Sequence, residues 1–112
     1  MKYELRSRGV RLTRQLEQHI ERRVRYAAHR FGSQIRSLRV HLSDVNGPKG
    51  GKDDIHCRLQ AQLAPRGSVL IEERRGDPFA AVARAADRAG HAFSRASERL
   101  RSRRRGRRER ER

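Results

Sequence analysis

The sequence predicts an α+β fold: a two-layer domain in which a four-stranded sheet carries two helices on one face, in the chain order β-α-β-β-β-α. Four short segments alternate between apolar and polar residues, which is the pattern of strands with one buried face. Two longer segments repeat apolar residues at steps of three and four, as amphipathic helices do. A chain of 112 residues suits one such domain.

The first strand is predicted at residues 2–7, where Tyr3, Leu5 and Ser7 share one side. Gly9 breaks this strand. Thr13 is the predicted N-cap of the first helix, and Gly32 is its predicted stop. The apolar stripe of this helix consists of Leu12, Leu16, Ile20, Val24, Ala27 and Phe31.

Three more strands are predicted in the middle of the chain, at residues 35–44, 55–63 and 69–73. Residues 46–52 form a predicted flexible loop, and residues 65–67 a turn. The first two strands are joined through a helix, so we expect them to be parallel. The later strands are joined by short connections, so we expect them to be antiparallel.

The second helix is predicted to begin with Asp77 as its cap and Pro78 in its first position. Its apolar stripe consists of Phe79, Val82, Ala83, Ala86, Ala89, Phe93, Ala96 and Leu100. Residues 101–112 have no apolar face, so the helix is predicted to fray or become disordered there. We therefore divide the chain into a domain at residues 1–100 and an Arg-rich tail at residues 101–112.

The charge of the chain favours a polyanionic partner. Lys and Arg number 29 against 13 Asp and Glu, which gives a net charge of +16. Residues 101–112 hold eight Arg and two Glu and so supply +6, which leaves +10 on the first hundred residues. Such a field attracts nucleic acid first and anionic membranes second.

The same composition argues against several other classes of protein. One cysteine, Cys57, allows neither an internal disulfide nor a cysteine-rich zinc site, which fits a reducing compartment. The first residues lack the apolar run of a signal peptide, and no stretch is apolar enough to span a membrane. We expect a cytoplasmic protein with no membrane partner, no cofactor and no enzymatic activity.

Basic residues of the two helices are the main candidate site. The second helix carries Arg84, Arg88, His91, Arg95 and Arg99, and the first carries Arg22, Arg23, Arg25, His29 and Arg30. A solvated helix face is the alternative interpretation. Asp87 and Glu98 are too few to neutralise the stripe on the second helix, so we favour phosphate binding. The planar guanidinium of Arg grips phosphate through two hydrogen bonds and stacks on bases.

Two segments resemble the short ribosome hibernation-promoting factor family, which includes ribosome-associated inhibitor A and has been labelled sigma-modulation protein. The first is Gly9-Val10-x-Leu12-Thr13 with the helix that follows. It resembles the family's strand–turn–helix opening. The second begins Asp77-Pro78-Phe79-Ala80-Ala81-Val82, continues through Asp87-Arg88 and ends Glu98-Arg99-Leu100. It is similar to the family's last helix, and together the two segments extend the match from residue 1 to about residue 101.

The resemblance implies a protein that binds the small ribosomal subunit in the channel used by mRNA and tRNA, blocks initiation and favours stored ribosomes. It implies that basic residues on both helices meet ribosomal RNA phosphates. Residues that match basic family positions are Arg23, Arg88, Arg95, Arg99 and Arg101. The chain departs from the family pattern at Ser7, often Gly in the family, at Gly90 in mid-helix, and in its use of Arg for Lys. Without the long form's dimerisation domain, we expect a monomer off the ribosome.

Two other functions remain open. The β-β-β-α part is similar to a double-stranded-RNA-binding domain, which suggests a general RNA-binding module off the ribosome. That family usually has a Lys cluster where this chain has Asp77-Pro78-Phe79. A regulator that uses its basic helices on an acidic protein is the third hypothesis.

The predicted uncovered face of the sheet carries Arg39, His41, His56 and Arg58. It lacks the aromatic residues that single-stranded RNA platforms use, so we interpret it as an ordinary solvated face. A metal site at His41, His56 and Cys57 is not expected, because neighbours in a strand face opposite sides. The tail is predicted to bind phosphates non-specifically.

Overall fold

A computed structural model describes residues 1–45 and 54–110 and confirms the α+β fold. The elements are β1 (Lys2–Arg8), α1 (Arg14–Ala28), a 3-10 helix (His29–Gln34), β2 (Ile35–Asp44), β3 (Ile55–Leu63), β4 (Ser68–Arg75) and α2 (Pro78–Arg110). The loop predicted at residues 46–52 lies outside the described residues. Within the described ranges, the helices lack the combination of length and hydropathy needed to span a bilayer.

The strands lie in the order β1-β2-β3-β4, with β1 parallel to β2 and the other pairs antiparallel, as predicted. Leu5, Val40, Leu59 and Ile71 stand opposite one another across all four strands on the helix-covered side. The register shifts at the start of β2, between Ile35 and Ser37. This irregularity is why Ile35 and Leu38 are both buried despite their odd spacing.

The core lies between the sheet and both helices. Phe93 of α2 is 2% exposed, and its ring centroid lies 6.1 Å from that of Phe31. The buried face of α2 is wider than the predicted stripe, since Ala81, Ala85 and Ser97 are buried too. The reason is that α2 packs against β3, β4 and α1 together. Phe79, which was predicted to lie in the stripe, is instead 37% exposed beside His19 at the start of the helix.

Both predicted N-caps are confirmed. The backbone N–H of Leu16 donates to Thr13 Oγ1 at 3.1 Å, and that of Ala80 donates to Asp77 Oδ2 at 3.0 Å. Each bond satisfies a helix N–H that has no partner within its own helix. The caps therefore define where α1 and α2 begin.

Replacing Thr13 with Ala is expected to lower the free energy of unfolding by about 1 kcal/mol, because the N–H of Leu16 loses its acceptor. Urea denaturation followed by circular dichroism measures the change. Thr13→Ser keeps the hydroxyl and should stay close to the parent protein. Equal losses in the two variants would mean that the methyl group, and not the cap, matters at this position.

The end of α1 differs from the prediction. The helix ends at Ala28 rather than at Gly32, and the chain continues as a 3-10 helix to Gln34. Phe31 has φ −124° and ψ 15°, which lies outside the helical region. This conformation accompanies the packing of its ring against Phe93.

The end of α2 also corrects the prediction. The helix does not fray after Leu100 but continues to Arg110. Residues 101–110, here called the C-terminal extension, are exposed except for the half-buried Gly106. Arg is a strong helix former and the segment contains no proline, so intrinsic propensity continues a helix that packing has already begun. The division of the chain at residue 100 stays a prediction.

Candidate nucleic-acid interface

The two helices lie side by side on one face of the sheet and present their polar sides to solvent. This surface is called the helical face. All ten residues predicted as the site are exposed on it or on its continuation: Arg22, Arg23, Arg25, Arg30, Arg84, Arg88, His91, Arg95, Arg99 and Arg101. The structure divides them into separate groups rather than one stripe.

The first group lines an open groove between α1 and α2, with a volume of about 390 Å³. The interhelical groove is defined here by Arg23, Tyr26, Arg30, Phe31, Gly90 and His91. It brings predicted basic residues from both helices together around aromatic side chains. Tyr26 was not predicted. An aromatic residue outside the apolar stripe of the first helix was the signal that could have found it.

The second group lies on the side of α2 that faces β4. Arg84 and Arg88 both form ion pairs with Glu73, at 3.6 and 3.4 Å. Arg88 Nη1 also donates to the backbone oxygen of Glu72 at 2.8 Å. The side chain of Glu73 is only 11% exposed. The expectation that Asp87 and Glu98 are too few to neutralise this stripe did not consider Glu73 of β4, which balances part of the charge of Arg84 and Arg88.

Arg95 and Arg99 continue this row towards the end of the domain. The row Arg84, Arg88, Arg95 and Arg99 is called the α2 ridge. Beyond it, Arg99 and Arg103 meet Arg66 of the β3–β4 turn around an open cavity of about 420 Å³. Arg101 lies one turn past Ser97, with its Nη2 atom 3.4 Å from the hydroxyl. Arg66 was not predicted, because it lies in a turn and only the packing of α2 beside that turn brings it close to Arg99 and Arg103.

The third group is on α1. Arg25 pairs with Glu21 at 2.9 Å, one helical turn away. Arg22 is exposed on the same helix, and neither residue lines the interhelical groove. A surface pair of this kind contributes little to stability and leaves Arg25 free to exchange partners. These two residues therefore extend the basic surface without joining its concave part.

The sequence matches a known protein family over most of its length. The model of the family described as sigma 54 modulation protein / S30EA ribosomal protein matches residues 3–101. The chain belongs to this family. No curated protein matches the sequence significantly.

Solved structures share the S30EA fold. The N-terminal domain of Protein Y from Thermus thermophilus is 24% identical, with a TM-score of 0.69 over 85% of this chain and 98% of that one. A ribosomal subunit interface protein from Coxiella burnetii is 13% identical, with a TM-score of 0.70 over 88% of this chain and 99% of that one. At these identities the likeness establishes the fold alone.

The opposite face of the sheet is open and carries ion pairs between strands. Glu4 accepts hydrogen bonds from Arg6 at 2.5 Å and from Arg39 at 3.1 Å, and Arg58 lies 3.7 Å from Glu72. The hydrogen bond from Arg6 is the main cause that lowers the pKa of Glu4, and the charge of Arg6 and the bond from Arg39 lower it further. Local pairing of this kind supports the interpretation of a solvated face, which stays a prediction.

Cys57 lies on the helix-covered side of β3 and is 1% exposed, whereas His56 is half-buried on the other side. Burial, and then the nearby charge of Glu73, raises the pKa of the Cys57 thiol to about 12. Across residues 1–45 and 54–110, the structure contains no group of three His, Cys, Asp or Glu side chains arranged to hold a metal ion.

Cys57 is expected to make the protein less stable at alkaline pH. The folded thiol keeps its proton to about pH 12, whereas an unfolded thiol loses it near the ordinary cysteine value of 9.0. Unfolding then releases a proton, so the stabilisation is complete below pH 9 and is lost as the pH rises towards 12. Urea denaturation of the parent and Cys57→Ala proteins at about pH 7 to 11 measures the free energy of unfolding at each pH. That free energy should fall less steeply with pH in the variant. Parallel declines would rule out a contribution from this thiol.

Proposed function

We propose that this S30EA-family chain is a ribosome-associated factor that binds small-subunit ribosomal RNA through its helical face and restrains translation. One observation carries the proposal: a chain of this family presents nine exposed arginines and His91 on two adjacent helices and on the 3-10 helix that follows α1. The names of its structural relatives, Protein Y and a ribosomal subunit interface protein, support the ribosomal assignment.

The proposed mechanism is occupancy. Guanidinium groups of the α2 ridge and the interhelical groove replace counterions on RNA phosphates, and the domain fills the space that initiation requires. The ion pairs with Glu73 of β4 support phosphate binding, because they hold Arg84 and Arg88 in place while both side chains remain about half exposed. Arginines held in this way lose less conformational entropy when they meet a phosphate. No bond is made or broken, and the chain acts in the cytoplasm as a monomer until it binds.

The test is sucrose-gradient sedimentation with purified bacterial ribosomes. The parent protein should migrate with the small subunit or the whole ribosome. The variant Arg88→Glu/Arg95→Glu/Arg99→Glu should stay at the top of the gradient, because reversed charges repel phosphate where the ridge attracts it.

A matched control separates the helical face from net charge. The variant Arg6→Glu/Arg39→Glu/Arg58→Glu changes the charge equally on the open face of the sheet, where all three side chains are at least half exposed. It should keep most ribosome binding. Equal loss in both variants would contradict the assignment to the helical face.

Equal affinity of the parent for ribosomes and a plain RNA duplex would favour general RNA binding. Capture of an acidic protein that survives nuclease would favour a protein partner.

A further inference from the structure

The interhelical groove combines two kinds of side chain that phosphate binding alone does not require. Arg23 and Arg30 supply positive charge, and Tyr26 and Phe31 supply aromatic surface. We propose that this groove binds one unpaired nucleotide of an RNA strand, with the base against Tyr26 and a phosphate on the arginines. The proposal rests on the proposed function and assigns a specific task to this part of the helical face.

Tyr26 is the first support for a base. Its side chain is 85% exposed, the highest exposure among the large apolar side chains in the described part of the chain. It stands beside Arg23 and Arg30 and not on the buried stripe of α1. Aromatic rings next to basic side chains are the platforms on which proteins stack unpaired bases. The exposed tyrosine ring offers a flat surface on which a base can stack. A helix face that only meets solvent does not require such a ring.

The shape of the groove is the second support. Its volume of about 390 Å³ falls at the lower end of the roughly 300–1,000 Å³ typical of small-molecule sites. The half-buried Phe31 forms one wall, and its ring packs against the buried Phe93 of the core. A site of this size admits a single nucleotide. A base-paired helix is too wide to enter and meets only the rim.

Gly90 is the third support. A glycine inside a helix costs about 1 kcal/mol relative to alanine. Close packing of the helices does not demand it, because a Cβ at this position would lie 3.8 Å from Ala27 Cβ, which is an ordinary contact. Gly90 lines the groove, and a methyl group at this position would occupy part of the groove beside Ala27. Space for a ligand accounts for a glycine that packing does not require.

The polar groups of the groove give the nucleotide an orientation. Asp87 and Ser94 lie on the α2 wall together with His91, whereas the arginines lie on the α1 side. A carboxylate accepts hydrogen bonds from the amino and imino groups of bases but repels phosphate. The base edge therefore points to Asp87, and the phosphate lies at Arg23 and Arg30. An acidic protein segment would bring its carboxylates against Asp87 and fits this distribution of charge less well.

The test uses a short single-stranded RNA with one 2-aminopurine, whose fluorescence falls when the base stacks. Binding to the parent protein should quench the signal. Tyr26→Ala should remove the quenching and weaken binding roughly tenfold, since a stacked base contributes about 1–3 kcal/mol. Tyr26→Phe should keep both properties. Unchanged quenching and affinity in Tyr26→Ala would overturn the proposal, as would equal affinity for the free 2-aminopurine mononucleotide, which would assign the groove to a free ligand.

Gly90→Ala provides an independent check that does not depend on the tyrosine. The variant should be at least as stable as the parent in urea, yet bind the labelled strand more weakly because the added methyl group narrows the groove. Full binding by a stable Gly90→Ala variant would count against the site. Ribosome sedimentation distinguishes failure of the nucleotide site from failure of the proposed function. If the parent protein does not quench the probe and both it and Tyr26→Ala migrate with ribosomes, only the nucleotide site is ruled out. A parent protein that fails to migrate removes the proposed function.

Discussion

Raising the salt concentration from about 50 to 200 mM is expected to weaken ribosome binding by roughly 10³- to 10⁵-fold, if six to ten phosphates are contacted. Each contact releases a condensed counterion, so the logarithm of affinity falls linearly with the logarithm of salt concentration. The ten exposed basic residues of the proposed site are enough for that number of contacts. Filter binding or sedimentation across a salt series measures the slope.

Single substitutions make this expectation specific to the helical face. Removing Arg95 or Arg99 from the α2 ridge should reduce the steepness of the slope by about one phosphate each. Removing Arg39 from the open face of the sheet should leave the slope unchanged. A response to salt that is flat in the parent protein would show that phosphate neutralisation does not drive binding.

Replacing Phe93 with Ala is expected to lower the free energy of unfolding by about 3–5 kcal/mol. The ring is 2% exposed at the junction of α2, the sheet and the 3-10 helix, and its removal leaves a cavity beside Phe31. For a domain of this size, such a loss is a large part of the total stability. Urea denaturation at neutral pH gives the value directly.

Phe79→Ala is the matched control for the loss of a phenyl ring. This side chain is 37% exposed and touches His19 rather than the core, so its removal should destabilise the protein much less. Equal effects at the two positions would mean that the contact between the start of α2 and α1 matters as much as the core does.

The strands and the starts of the helices were predictable because their signals are local. Alternation places β2 and β3 within the bounds found in the structure, and a side-chain oxygen at Thr13 or Asp77 can cap only the turn that follows it. The parallel pairing of β1 and β2 followed from the helix between them. The caps and the strand bounds depend on neighbours within a few residues, and the parallel pairing follows from the order of the elements along the chain, so a single sequence contains both.

The features that escaped prediction depend on contacts between distant segments. Glu73 meets Arg88 across 15 positions of the chain, and Tyr26 shares a groove with Gly90 only because α1 packs beside α2. The end of α2 was misjudged for a different reason. A segment without an apolar face was expected to fray or be disordered, but it continues as a helix to Arg110 because the high helix propensity of Arg offsets the cost of Gly106 once packing has nucleated the preceding turns.

The C-terminal extension also lowers the electrostatic repulsion between the positive charges of the chain. Seven Arg and one Glu occupy residues 101–110, and Arg110 stands roughly 15 Å along the helix from Leu100 at about 1.5 Å per residue. That separation is nearly twice the screening length of about 8 Å at physiological ionic strength. Self-repulsion between the tip and the folded body is therefore weak. Shortening the extension should reduce attraction to polyanions that come close to it while leaving the stability of the domain almost unaltered.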